Sequence, residues 1–143
     1  MVLAGFKGWE NKKIVDLINK DKENIFYLGF ISDEELAKVY NLSSCFLFPS
    51  FYEGFGLPVL EAMACGTPVI CSNTSSLPEV GGDAVIYCDT YDVNDIKEKI
   101  EMLLSDELLQ KVMIEKGLNR AKLFSWEKSA DEHIKIFKEL LEK

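Results

Sequence analysis

Short apolar runs alternate with amphipathic stretches along the chain, and turn-forming residues bound each run. This alternation is typical of βαβ units, in which helices connect parallel strands, and it predicts a central parallel sheet. Continuous apolar runs also suit strands that helices cover on both faces. The predicted strands are Val2–Ala4, Ile25–Leu28, Cys45–Phe48, Val69–Cys71 and Val85–Tyr87.

Apolar residues at helical spacing predict helices between these strands. A first helix carries Ile14, Leu17 and Ile18 on one face, and a second helix opens at a capping box formed by Ser32 and Glu35. We therefore expect an α/β fold, a Rossmann-like parallel sheet of about five strands flanked by helices.

A third, short helix is predicted to start near Leu57. Pro58 suits the first helical turn, and Gly66 suits a left-handed C-terminal cap. After the last strand, three amphipathic segments predict a run of C-terminal helices. These segments are 93–104, 109–113 and 126–141.

The length of 143 residues corresponds to one domain, and 48% hydrophobic residues supply enough apolar material for a core. The chain shows no run of about 18 apolar residues and no signal peptide at its start, so we expect a cytoplasmic protein without a membrane span. Cys45, Cys65, Cys71 and Cys88 show no Cys-x-x-Cys pairing. Buried thiols are favoured over disulfides or metal ligands.

The chain carries 24 acidic and 16 basic residues, for a formal net charge of −8. Binding to nucleic acid requires clustered Lys and Arg, so this balance argues against a nucleic-acid partner. No Lys or Arg lies between Lys38 and Lys97, whereas seven acidic residues do. The middle of the chain therefore carries most of the net negative charge.

The most informative stretch runs from Phe48 to Asn73, FPSFYEGFGLPVLEAMACGTPVICSN. Ligands of open α/β sheets bind beyond the carboxyl ends of the strands, so the loop Pro49–Gly56 is expected to form a site. Gly54 and Gly56 allow the backbone to approach a ligand, and the free amides of the following helix favour an anion such as phosphate. A tight turn without a ligand explains the two glycines about equally well.

Two carboxylates accompany this loop. Glu53 precedes the glycines, and Glu61 lies in the helix among apolar residues. A carboxylate in such a segment is costly unless it meets donors, and the diol of a sugar or ribose supplies two. The alternatives for Glu61 are a salt bridge or an interaction with the helix dipole.

The segment 53–69, EGFGLPVLEAMACGTPV, resembles the E-x7-E signature of the family 4 retaining glycosyltransferases. The similarity extends over nearly the whole chain. The other matching segments are Leu3–Gly5 with Gly8-Trp9, 27–30 with 32–36, Phe48–Ser50, 75–80 with 82–84, and Phe124–Trp126.

The resemblance implies half of a GT-B architecture, in which two Rossmann-like domains enclose the active site. This chain matches the C-terminal domain, which binds the nucleotide-sugar donor. It implies that Glu53 contacts the donor sugar as a catalytic residue and that Glu61 binds the ribose hydroxyls. The other implied donor-binding residues are Gly54, Phe55, Gly56 and Leu57 around the sugar and phosphates, with Leu28, Gly29 and Phe30 near the base.

The function implied is transfer of a hexosyl group, of mannose or glucose type, from a nucleotide diphosphate sugar to a hydroxyl acceptor with retention of configuration. No metal and no cofactor is expected. An N-terminal acceptor domain, and a strand and helix whose Arg and Lys neutralise the diphosphate, are expected upstream. The isolated chain is therefore expected to be inactive, and any membrane contact is expected to come through the missing part.

Two other readings remain open. One is a non-catalytic α/β module that binds a nucleotide or a partner protein, and a more distant one is a nucleotide-sugar epimerase. The resemblance further predicts that part of the apolar face of Trp126–Leu141 is left uncovered, which would favour self-association.

Overall fold

The computed structural model describes residues 1–6, 8 and 12–142, so Trp9 of the resemblance lies outside the described residues. The fold is α/β with parallel strands flanked by helices, as predicted. The expectation of a single five-stranded sheet is wrong, because the strands form one sheet of two strands and another of three. The chain divides into two compact units, Met1–Val39 and Tyr40–Lys143.

The first unit contains β1 (Val2–Ala4), α1 (Lys12–Lys20), β2 (Phe26–Gly29) and most of α2 (Asp33–Leu42). Strands β1 and β2 pair in parallel, with Val2 opposite Phe26. The predicted capping box starts α2: the Ser32 amide donates to Glu35 Oε2 at 2.8 Å, and the Glu35 amide donates to Ser32 Oγ at 3.3 Å. Local sequence signals therefore place the start of this helix correctly.

The expectation that helices cover both faces of every strand is wrong for β1 and β2. Phe26 and Leu28 of β2 are exposed, as is Val2 of β1, and α1 has no buried residue. A pair of short strands with one short amphipathic helix offers too little apolar area to bury these side chains.

The second unit contains β3 (Phe46–Phe48), α3 (Leu57–Ala64), β4 (Val69–Ser72), α4 (Leu77–Gly81) and β5 (Ile86–Cys88). Its three strands are parallel in the order β3-β4-β5. Every residue of β4 is buried, which confirms for this strand the coverage predicted from its apolar run. The core forms around Ile70, Cys88, Leu103 and Met113.

Three helices close the chain: α5 (Val93–Ser105), α6 (Glu107–Ala121) and α7 (Trp126–Leu141). Asp92, Asp106 and Ser125 cap their N-termini through side-chain oxygens. Helix α7 has no buried residue, and its apolar side chains, Phe137 among them, are exposed. The predicted uncovered face is therefore present in this structure.

The short helix α4 was not predicted, and the predicted strands differ from the observed ones by one residue at some ends. All four cysteines are free, with Cys71 and Cys88 buried and Cys45 and Cys65 half-buried. Burial raises the pKa of the Cys71 thiol to about 12, which keeps it protonated. Among the described residues, no helix combines the length and apolar character needed to cross a bilayer.

Candidate functional site

The loops that follow β3 and β4 lie side by side and are joined by hydroxyl groups. Strands β3 and β4 are adjacent and parallel, so both loops leave the sheet at its carboxyl edge, where ligands of α/β sheets bind. Ser76 Oγ, after β4, lies 2.9 Å from the carbonyl oxygen of Glu53 and 2.8 Å from that of Phe55, and its single proton is shared between them. Ser72 Oγ donates to the carbonyl of Ser50 at 2.5 Å. The predicted loop 49–56 is thus held by its neighbour in the sheet.

Gly56 fixes the start of α3. It adopts a left-handed conformation, φ 111° and ψ 42°, and its carbonyl accepts the amides of Val59 and Leu60. A Cβ at this position would lie 2.5 Å from Cδ2 of Leu77, which is fully buried in α4. Both backbone conformation and space therefore require glycine here.

The backbone between Glu53 and α3 has free donors. Within the described part of the chain, no hydrogen bond uses the amide of Gly54, Phe55, Gly56 or Leu57. A Cβ at Gly54 would meet nothing within 4 Å, so a ligand can approach the backbone there. Free amides beside a helix N-terminus favour an anion, and these four residues are the ones predicted to approach the sugar and phosphates.

Glu53 is held at three points by serine hydroxyls. Its Oε1 accepts from Ser50 Oγ at 2.8 Å, its amide donates to Ser75 Oγ at 3.0 Å, and its carbonyl accepts from Ser76. Ser75 is the non-glycine residue with positive φ, 51°, in the described chain. The ion pairs among the described residues do not include Glu53, so its charge is available to a ligand.

The environment of Glu61 differs from the one expected from the sequence. Glu61 is exposed, although its neighbours in α3 are apolar and Val59, Ala62 and Met63 are buried. The expectation that the surrounding apolar residues make the Glu61 carboxylate costly is therefore wrong, because Glu61 lies on the stripe of α3 that faces away from the core. Glu61 forms no ion pair with any residue that the structure describes, and it lies in the second half of the helix, where the dipole disfavours a negative charge.

Tyr40 contacts the Glu61 carboxylate through its hydroxyl group. Its hydroxyl donates to Glu61 Oε2 at 3.4 Å, while the tyrosine itself is only 5% exposed. Burial, and secondarily the charge of Glu61, raise the pKa of Tyr40, so the hydroxyl keeps its proton and remains a donor. The contact is long, so Glu61 retains acceptor capacity for a ligand.

A mostly apolar groove of about 920 Å³ lies along the exposed side of α3. Leu57, Leu60 and Glu61 form one side, and residues of α6, α7 and their connection form the other. The groove brings Arg120 and Lys128 to the same surface as Glu61. Sequence reasoning missed both cations, because each is more than 55 residues from Glu61 along the chain.

Arg120 has a structural role in this surface. Its Nε donates to the carbonyl of Val80 at 3.0 Å, its second guanidinium nitrogen donates to that of Glu79, and it lies over the ring of Phe124. The guanidinium therefore caps the C-terminal end of α4, the helix that places Leu77 against Gly56. A cation at a helix C-terminus is favourable.

The three residues predicted near the base belong to the first unit. Leu28 and Gly29 end β2, and Gly29, with φ 69°, accepts a hydrogen bond from the Gly5 amide at 2.8 Å. Phe30 is exposed and stacks on Phe6, with ring centroids 5.0 Å apart. An exposed aromatic pair is able to stack against a planar ligand.

Metal ligation has no support in the described residues, which contain no group of three or more His, Cys, Asp or Glu side chains able to hold an ion together. His133, in α7, is exposed, and its Nδ1 lies 2.7 Å from the carbonyl of Ser129.

Comparison with known proteins connects these features to a family. The sequence model of the family described as glycosyl transferases group 1 matches residues 1–120. O-antigen chain mannosyltransferase B of Escherichia coli is 44% identical over 140 residues, covering 96% of this chain and 37% of the relative.

Solved structures share the fold. Sucrose-phosphate synthase from Thermosynechococcus elongatus superposes with a TM-score of 0.86 at 29% identity, over 98% of this chain and 38% of that one. HepE from Anabaena, solved with UDP and glucose, gives a TM-score of 0.83 at 18% identity, over 96% of this chain and 40% of that one. The chain thus spans well under half the length of these proteins.

Proposed function

Because the chain belongs to the glycosyl transferases group 1 family, we propose that it forms the donor-binding part of a family 4 retaining glycosyltransferase. The proposed reaction transfers a hexosyl group from a nucleotide diphosphate sugar to a hydroxyl acceptor. Mannose is the first candidate, since the relative from Escherichia coli is a mannosyltransferase. That HepE was solved with UDP and glucose supports a nucleotide sugar as donor.

One arrangement carries the proposal: a single strand–loop–helix unit holds free amides and two carboxylates that form no ion pair with any described residue. The amides suit phosphate oxygens, which only accept hydrogen bonds. The carboxylates suit sugar and ribose hydroxyls, which donate them. A nucleotide sugar presents both kinds of group, with phosphates between two polyols.

We assign each carboxylate the role that the resemblance to the E-x7-E signature implies. Glu53 contacts the transferred sugar and stabilises the positive charge that develops as the bond to the diphosphate breaks, whereas Glu61 binds the ribose diol. The amides from Gly54 to Leu57 stabilise the negative charge on the departing diphosphate, as preorganised donors do. Residues 28–30 contact the base.

The remaining parts of the proposal concern the complete enzyme. The interval between Lys38 and Lys97 lacks cations, so we expect further Arg or Lys residues from the rest of the protein to neutralise the diphosphate. An acceptor domain completes the active site, and residues 1–143 alone do not catalyse transfer. We further propose that the reaction needs neither a metal nor a cofactor and takes place in the cytoplasm.

A transfer assay tests this function. The complete natural protein is incubated with GDP-mannose, UDP-glucose or ADP-glucose and a panel of hydroxyl acceptors, in the presence of EDTA, and the product is analysed by proton NMR. We expect transfer from one donor with the α configuration retained. Inverted configuration would contradict the retaining assignment, and nucleotide or protein binding without transfer from any donor would favour the binding module.

A further inference from the structure

The proposed reaction needs the Glu53 carboxylate in one orientation, and the loop itself supplies the group that fixes it. Ser50 lies two residues after the end of β3 at Phe48 and is half-buried. Its hydroxyl lies 2.8 Å from Glu53 Oε1 and 3.3 Å from the carbonyl of Tyr52. A hydroxyl has one proton to donate, and the shorter, charge-assisted bond to the carboxylate is the stronger one.

Ser50 is itself fixed by the neighbouring loop. Ser72 Oγ, fully buried at the end of β4, donates to the Ser50 carbonyl at 2.5 Å, and Thr74 Oγ1 lies 3.4 Å from the same oxygen. The position of the Ser50 hydroxyl is therefore set by two adjacent strands of the sheet. A site that sits on such rigid elements can hold a reacting group within about 0.5 Å of its working position.

The backbone of Glu53 is held separately, by Ser75 at the amide and Ser76 at the carbonyl. These two contacts fix the backbone of Glu53, and the contact with Ser50 fixes the carboxylate at the end of its side chain. Oε1 is thereby occupied, while Oε2 has no recorded partner among the described residues. One oxygen is used for orientation and the other is left for a ligand.

From this arrangement we infer that Ser50 is a positioning residue for the transferase reaction, orienting the Glu53 carboxylate through Oε1 so that Oε2 faces the donor sugar. The contact between Ser50 and Glu53 is present in the structure. That Oε2 faces a donor sugar rests on the proposed function. Ser50 does not touch the reacting atoms. It acts through Glu53 alone, and this distinguishes it from a residue that merely supports the fold.

A double-mutant cycle in the complete natural protein tests the inference. The variants are Ser50→Ala, Glu53→Gln and both together, with kcat measured at saturating donor and acceptor. Ser105→Ala, which removes an exposed hydroxyl bonded to the Met102 carbonyl, is the matched control. We expect Ser50→Ala to lower kcat by about tenfold or more, and to have no further effect in the Glu53→Gln background.

The outcomes separate the inference from the proposed function. If Glu53→Gln lowers kcat but Ser50→Ala lowers it equally in both backgrounds, Ser50 acts independently of Glu53 and the inference is overturned. If transfer is observed and Glu53→Gln leaves kcat unchanged, the catalytic role of Glu53 is lost, and the role of Ser50 with it.

A second readout separates positioning from donor binding. Because Ser50 acts on Glu53 and does not touch the donor, Ser50→Ala should lower kcat while KM for the donor changes by less than about threefold. A loss of activity that appears mainly as a higher KM for the donor would overturn the inference.

Discussion

Replacing Glu53 by glutamine is expected to lower kcat of the complete natural protein by about 100-fold or more, with KM for the donor changed only a few-fold. Glutamine keeps the size of the side chain but replaces the carboxylate that Ser50 orients with a neutral amide. It removes the negative charge that stabilises the sugar as its bond to the diphosphate breaks. The loss therefore falls on the transition state more than on the bound substrate.

We expect the Glu53→Gln substitution to have little effect on the stability of the fold. Glu53 is half-buried, its backbone contacts with Ser75 and Ser76 remain, and within the described part of the chain it forms no ion pair. We expect the free energy of unfolding, measured in urea, to change by less than about 1 kcal/mol. Glu98→Gln, an exposed carboxylate on α5, is the control and should retain full activity. Equal activity of the two variants would remove Glu53 from the mechanism.

Replacing Gly56 by alanine is expected to lower the free energy of unfolding by about 2–5 kcal/mol. A left-handed φ costs a residue with a side chain about 1–3 kcal/mol, and overpacking a buried site costs about as much again. Both terms apply, because φ is 111° and the new Cβ would lie 2.5 Å from buried Leu77 Cδ2. Urea unfolding followed by circular dichroism measures the change.

Gly54→Ala is the matched control, two residues away in the same loop. The φ of Gly54 is not positive, and its Cβ would meet nothing within 4 Å, so the free energy of unfolding should change by less than about 1 kcal/mol. Donor binding should nevertheless weaken, because the methyl group occupies the space above the free amides. Equal destabilisation by the two substitutions would contradict the roles assigned to these glycines.

The start and end of α3 could be predicted because their signals are local. Pro58 lies in the first turn, and Gly66 adopts a left-handed conformation, φ 75°, just after the helix. The loop that carries Glu53 was also predicted, since apolar strands bounded by turn residues are visible in any single sequence. These elements account for the position of the candidate site.

The environment of the carboxylates could not be predicted in the same way. The serines that hold the backbone of Glu53 are 22 and 23 positions further along the chain, and Arg120, which caps α4, is about 40 positions from its partners. Only the pairing of β3 with β4 and the packing of α6 bring these groups together. Helix α4, with five residues, is too short to show a helical period.

The wrong expectation for Glu61 has a physical cause. Helix α3 is apolar on nearly every side, so its composition does not show which stripe faces the core. The structure buries Val59, Ala62 and Met63 and leaves Leu57 and Glu61, one turn apart, on the outer stripe. An exposed carboxylate beside an apolar groove can still bind the ribose. The two ribose hydroxyls would replace the water molecules that solvate the carboxylate, so no enclosed cavity is needed.

The central claim is that this segment binds a nucleotide sugar with Glu61 on the ribose diol. It is tested most directly by calorimetric titration with a nucleoside diphosphate and its 2′-deoxy counterpart, for the bases guanine, uracil and adenine. The titrations are made on the complete natural protein and on its Glu61→Ala variant. If the Glu61 carboxylate accepts hydrogen bonds from both ribose hydroxyls, removing the 2′-hydroxyl should lower the affinity for the nucleotide about tenfold.

For the preferred base, we predict that the wild type binds the ribonucleotide about tenfold more tightly than the 2′-deoxy form, and that Glu61→Ala binds the two equally. A wild type that binds none of the nucleotides would contradict the claim. So would a preference for ribose that survives the loss of Glu61.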